Sequence, residues 1–238
     1  MTVEQELRIA EQQQTLTVQQ AVELAVEHHQ AGRLIEAEKM YQQVLQKEPD
    51  QPAARHMLGV LAHQAGKNEL AVKLISRVIE IRPDLAEAYN NNGLALRELA
   101  RLEDAETSFR KAIELNHEYA EARYNLGMLQ LLNGDYSAGW KNYAWRWKMP
   151  QYFRSRSGSG RPSWDGNSLQ GKTIFIYPEQ GVGDTIQFVR YVPLITKLGA
   201  KVVLEAPKQL LRLFRHMKIS ADLVGPGEPT PPFDCHAS

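Results

Sequence analysis

The chain has almost no cysteine, no net charge and no long apolar run, and each absence removes a class of protein. Cys235, the single cysteine among 238 residues, cannot close an internal disulfide. With a tail around it that reads as loose, this fits a reducing compartment. Lysine plus arginine and aspartate plus glutamate each number 28, so bulk charge gives no reason to expect nucleic acid as a partner. No stretch approaches the roughly 18 consecutive apolar residues of a membrane-spanning helix. The opening Met-Thr-Val-Glu-Gln-Glu-Leu has neither the basic lead nor the apolar core of a signal peptide, and the expected location is cytoplasmic. His28, His29, His56 and His63 lack a ligand constellation, so no metal site is expected.

What is present is repetition. With units beginning at Val18, Pro52, Ala86 and Ala120, a period of 34 residues aligns five columns. Position 8 is Ala25, Gly59, Gly93 and Gly127, and position 20 is Ala37, Ala71, Ala105 and Gly139. Small residues there let two helices approach closely. Position 15 is Gly32, Gly66, Ala100 and Gly134, a helix stop in the left-handed conformation that glycine tolerates. Position 24 is Tyr41, Ile75, Phe109 and Tyr143, a large side chain to fill the space between units. Position 32 is Pro49, Pro83, His117 and Gln151, so proline ends the second helix in the first two units.

This pattern resembles the tetratricopeptide family over residues 18–150, which implies an α-α superhelix whose first helices line a concave groove. The units are 18–51, 52–85, 86–119 and 120–150, after a polar lead at 1–17. The fourth is atypical, with Trp140, Tyr143, Trp145 and Trp147 in its second helix, as an end cap or docking helix requires. Position 6 faces the groove in this family, and here it carries Glu23, Met57, Asn91 and Asn125. A carboxamide both donates to and accepts from a peptide backbone. The two asparagines resemble the ladder of the O-linked N-acetylglucosamine transferases, whose superhelix threads protein substrates. They are equally readable as polar residues on a solvated face. Asn90, Tyr124 and His56 at position 5, and Arg97 at position 12, are further groove candidates for a protein or peptide segment.

Residues 151–171 have linker chemistry, with Arg154, Arg156 and Arg161 among serines and glycines. Between Asp135 and Asp165 the charges are all basic and tryptophans interleave them. That pattern fits either a solvated connector, the favoured reading, or a phosphate- or nucleic-acid-binding stretch. Residues 172–225 then switch period. Thr173–Tyr177 and Lys201–Glu205 read as strands, 184–198 as a helix kinked at Pro193, and Pro207–His216 as another helix. A third strand is expected near Ala221–Val224, before a proline-rich tail at 226–238. The βαβ order implies a parallel sheet, and its open edges invite self-association.

Gly181-Val-Gly183 reads as a tight turn, yet Ile186 stands where a dinucleotide fingerprint needs its third glycine. Gly181-Val-Gly-Asp-Thr-Ile-Gln-Phe-Val-Arg-Tyr-Val-Pro193 instead resembles the first strand-turn-helix of family 9, heptosyltransferase-like glycosyltransferases. That resemblance implies a partial Rossmann-like subdomain, the N-terminal half of a GT-B fold, with a nucleotide sugar as donor and no bound cofactor. It implies Asp184 as the general base for the acceptor hydroxyl. Asp184 followed by Gln187 also has the spacing of a capping box, and the two roles are compatible. The donor domain of such an enzyme is not in this sequence, so catalysis by the 238-residue chain alone is not expected.

Overall fold

The computed structural model describes residues 16–150, 160–179 and 181–237. Most of the polar lead, and the linker stretch holding Gln151, Arg154 and Arg156, lie outside the described residues. The chain divides into two units, Met1–Gln151 and Tyr152–Ser238.

The first unit is built from helix pairs: α1 Val18–Gln30 and α2 Leu34–Lys47, α3 Pro52–Gln64 and α4 Asn68–Ile81, α5 Ala86–Glu98 and α6 Leu102–Leu115. A last pair joins α7 Ala120–Leu132 to the short α8 Tyr136–Tyr143, which tightens into a 3-10 turn at Ala144–Lys148. Each first helix ends at position 15 as the sequence predicts. Gly32, Gly66 and Gly134 have φ of 75°, 73° and 82°. The following amide reaches back to close the turn, as in Lys67 N–H to Ala62 O at 2.8 Å and Asp135 N–H to Gln130 O at 2.9 Å. Ala100 takes the same conformation at φ 57° without the freedom that glycine has there.

Packing follows the other columns. Ala37, Ala71 and Ala105 are fully buried, as are Tyr41, Ile75 and Phe109 at position 24. A Cβ on Gly93 would sit 2.6 Å from the Phe109 ring, and one on Gly59 2.6 Å from Ile75. Position 24 therefore plugs the gap against its own first helix. Phe109 also joins Leu126 and Leu129 of the next unit in one apolar cluster, so it seals the joint between units as well. First helices touch in series, α1 to α3 to α5 to α7, and that row forms the inner face of the array.

The aromatic end of the fourth unit is occupied from within. Arg123 and Lys148 stack on Trp145 at 4.2 and 3.8 Å, and Arg146 lies over Tyr143 and Trp147 at 4.1 and 4.3 Å. Lys148 also bonds Glu118 at 2.8 Å. Basic side chains of this stretch are thus held against its own rings.

The second unit carries a four-stranded parallel sheet, not three strands. Its strands are β1 Thr173–Ile176, β2 Lys201–Glu205, β3 Asp222–Val224 and β4 Cys235–Ala237, in the order β3-β2-β1-β4. β4 corrects the assignment of 226–238 to a tail. Cys235 is buried against the core with Ile174, Val202 and Phe214, not loose. Three residues are too short to announce a strand by periodicity, and β4 exists because β1 offers it a ladder. The linker assignment is corrected over its described part too. Leu169 is in the core, and Ser163 bridges to His236, with Trp164 N–H donating to His236 O at 2.8 Å. That segment covers the outer edge of β4. Between β1 and β2 run α9 Val182–Phe188, a 3-10 turn at Val189–Tyr191, and α10 Val192–Lys197, with Pro193 opening α10. Proline breaks the predicted helix into two because it offers no amide to the ladder. α11, Lys208–His216, follows β2 and packs Leu210 and Phe214 inward.

Candidate functional site

The predicted groove residues fall into a ladder that links first helices one to the next. Asn91 Nδ2 lies 3.0 Å from His56 Nε2, and Asn125 Nδ2 donates to Asn90 Oδ1 at 2.9 Å. Both bonds span 35 residues, from position 5 of one unit to position 6 of the next. At the first joint the same two positions hold Val22 and Met57, which pack in one apolar cluster. The rule is geometric: these positions meet across every joint, and the sequence fills them with either polar or apolar partners.

Burial sorts the candidates. Asn90 is 2% exposed and Asn125 9%, so this pair fastens α5 to α7 and offers little to a guest. Buried carboxamides must be partnered, and each partners the other. Asn91, His56 and Tyr124 are half-buried on the inner face, where a guest can touch them. Arg97 is turned aside, its guanidinium on the Glu98 carboxylate at 2.9 Å. Burial lowers the His56 imidazole below its ordinary value, against a smaller upward pull from Glu87, so at neutral pH it meets Asn91 uncharged. A third rung, not among the predicted candidates, joins His29 Nε2 to Gln64 Oε1 at 3.0 Å, again 35 residues apart. Searching for pairs at that spacing, not 34, would have found it.

On each first helix, positions 2, 6, 9 and 13 share one face. Position 9 is apolar in every unit: Val26, Val60 and Leu94 are half-buried, and Met128 is exposed. The inner face is therefore an apolar stripe with carboxamide, imidazole and phenol groups beside it.

In the second unit Asp184 lies in the first turn of α9, three residues after the N-cap Gly181. No side chain caps this helix, so the capping-box expectation is corrected, and the glycine turn is the start of α9 itself. The Asp184 side chain is exposed and makes no hydrogen bond or ion pair among the described residues. A Cβ placed on Gly181 or Gly183 would meet nothing within 4 Å, and neither has a positive φ. The loop follows β1, whose neighbours are β2 on one side and β4 on the other. Sheets of this kind bind ligands outside the carboxyl ends of strands, where the order reverses. The described residues hold no cluster of three or more His, Cys, Asp or Glu fit for a metal ion, and no helix among them is long and apolar enough to cross a membrane.

Two family models match, one for the tetratricopeptide repeat over residues 28–91 and one for the TPR repeat over 93–134. No curated protein matches the sequence. Among solved structures, MamA from Desulfovibrio magneticus RS-1 is 20% identical with a TM-score of 0.50, over 60% of this chain and 78% of that one. A double mutant of MamA RS-1 gives 19% and 0.52, over 60% and 80%. An O-GlcNAc transferase mutant from Thermobaculum terrenum gives 21% and 0.54 over 87% of this chain, which spans 40% of that protein's length. That coverage exceeds the first unit alone, so this likeness runs on into the second. At such identities the likeness is one of fold. Period, helix stops, packing columns and family models agree: residues 28–134 are tetratricopeptide repeats.

Proposed function

We propose that the chain is a protein-binding scaffold whose repeats hold an extended polypeptide segment along the inner face. The supporting observation is the inner face itself. First helices are fastened rung by rung through His29–Gln64, His56–Asn91 and Asn90–Asn125, which holds the stripe of Val26, Val60, Leu94 and Met128 in fixed register. A preorganised surface loses less conformational freedom on binding. Asn91 and Tyr124 are the residues best placed to touch a guest backbone. A peptide-library pull-down with the full chain should recover extended segments, and Asn91→Ala with Tyr124→Ala should weaken capture by tenfold or more. Recovery of nothing above background would end this reading.

A second reading, as an inverting nucleotide-sugar-dependent glycosyltransferase acting on a segment presented by the repeats, has its own support. The parallel strand order β3-β2-β1-β4 is the one expected of the first half of a Rossmann-like sheet, which is consistent with a GT-B N-terminal domain. Asp184 stands exposed just after β1, and neither Gly181 nor Gly183 is required by the local packing, which leaves room for a ligand to approach the backbone. Asp184 would take the proton as the acceptor hydroxyl attacks the anomeric carbon. Calorimetry of the full chain with nucleotide sugars, and turnover abolished by Asp184→Asn, would support it. No binding of any nucleotide sugar would remove it for this chain.

A further inference from the structure

The open face of the first helices carries charge of one sign. At positions 2, 6, 9 and 13 over four units stand Glu23, Glu87, Glu98 and Glu121, with no lysine or arginine. Glu98 is neutralised by Arg97 at 2.9 Å. Glu87 and Glu121, both at position 2 and both exposed, form no ion pair among the described residues. Both bear on the Tyr119 phenol, which burial foremost, then Glu121 and Glu87, push up. Glu87 also bears on His56, the imidazole of the His56–Asn91 rung.

In the last two repeats the apolar position 9 and the acidic position 2 lie on either side of position 6. Position 6 is about 6 Å along the helix from position 2 and about 4.5 Å from position 9. A strand laid over the position-6 row sends successive side chains to opposite sides, one set onto Leu94 and Met128 and the other toward Glu87 and Glu121. From this geometry we infer that the guest of the last two repeats is an extended segment of alternating basic and apolar residues, lysine or arginine facing the carboxylates. Charge complementarity selects that partner over neutral or acidic segments. The inference rests on the peptide-binding reading of the inner face and specifies its chemistry.

Fluorescence anisotropy on the full chain tests it with three labelled 12-residue peptides, alternating Lys–Val, Gln–Val and Glu–Val. The Lys–Val peptide should bind about tenfold tighter than Gln–Val in low salt, and the gap should shrink as ionic strength rises. Glu87→Gln with Glu121→Gln should abolish the gap while leaving Gln–Val affinity unchanged. Both residues are exposed, so circular dichroism should be unaltered. Equal binding of all three peptides, or a preference that survives the double substitution, overturns the inference and leaves the scaffold reading standing. Failure of every peptide overturns both.

Discussion

The repeat unit and the sheet unit reach stability by opposite routes. In the array every contact is between neighbours: position 24 plugs its own first helix, and position 5 meets position 6 one unit on. The sheet instead joins residues far apart in sequence, with Ile174 beside both Val202 and Cys235. A local fold writes its rules as a period; a non-local one leaves fragments that look unattached until the partner strand is known.

The sharpest way to break this comparison is to empty one plug in each unit. Phe109 and Phe214 are both fully buried, and each change to alanine should cost about 3–5 kcal/mol. Hydrogen exchange should separate them. Phe109→Ala should lower protection most in the third and fourth repeats and least in α1 and α2, because repeats contact only neighbours. Phe214→Ala should lower it throughout β1–β4. Uniform loss across the array would refute the nearest-neighbour description. Next in size is Gly127→Ala. Its Cβ would lie 2.4 Å from the Tyr143 amide nitrogen, and backbone cannot step aside as a side chain can. A loss of about 2–3 kcal/mol in urea unfolding is expected, and a silent substitution would mean that α7 and α8 are not so closely packed.

Asn90→Ala leaves the buried Asn125 amide without its acceptor, at a cost of about 2 kcal/mol, whereas Asn91→Ala, at a half-exposed site, should cost less. Ala100→Gly should stabilise the array by about 1 kcal/mol, raising its melting temperature, because the left-handed backbone there disfavours a side chain. The smallest effect concerns pH. His56 is held neutral by burial, so the folded state binds fewer protons than the unfolded one near the ordinary imidazole value of about 6.5. That contribution is present above this pH and lost as pH falls below it. Urea midpoints at pH 7.5 and 5.5 should show the decrease, and His56→Gln should reduce it.

Much of the array was legible because its causes are local. Gly32, Gly66 and Gly134 announce helix stops, and Gly93 opposite Phe109 announces a close approach. The ladder was half legible: Asn91 and Asn125 stood out as polar residues in register, but the sequence does not show that Asn125 is consumed by Asn90. Nor does it show the His29–Gln64 rung, since bonds between units step by 35 and not by the repeat length. In the second unit β1 and β2 were visible as apolar runs, whereas β4 was hidden behind prolines and a lone cysteine. Asp184 stood out through the Gly-Val-Gly-Asp resemblance, and its spacing to Gln187 also read as a capping box, but α9 begins at Val182, with Gly181 as its N-cap, and no side chain caps it.

Where a bound segment lies is the most direct test of the inner face as a binding surface. Backbone amide shifts of the labelled full chain, followed while a captured peptide is titrated in, should move along α3, α5 and α7, centred on Asn91, Leu94 and Met128. Shifts confined to the outer helices α2, α4 and α6, with those three residues unmoved, would contradict it.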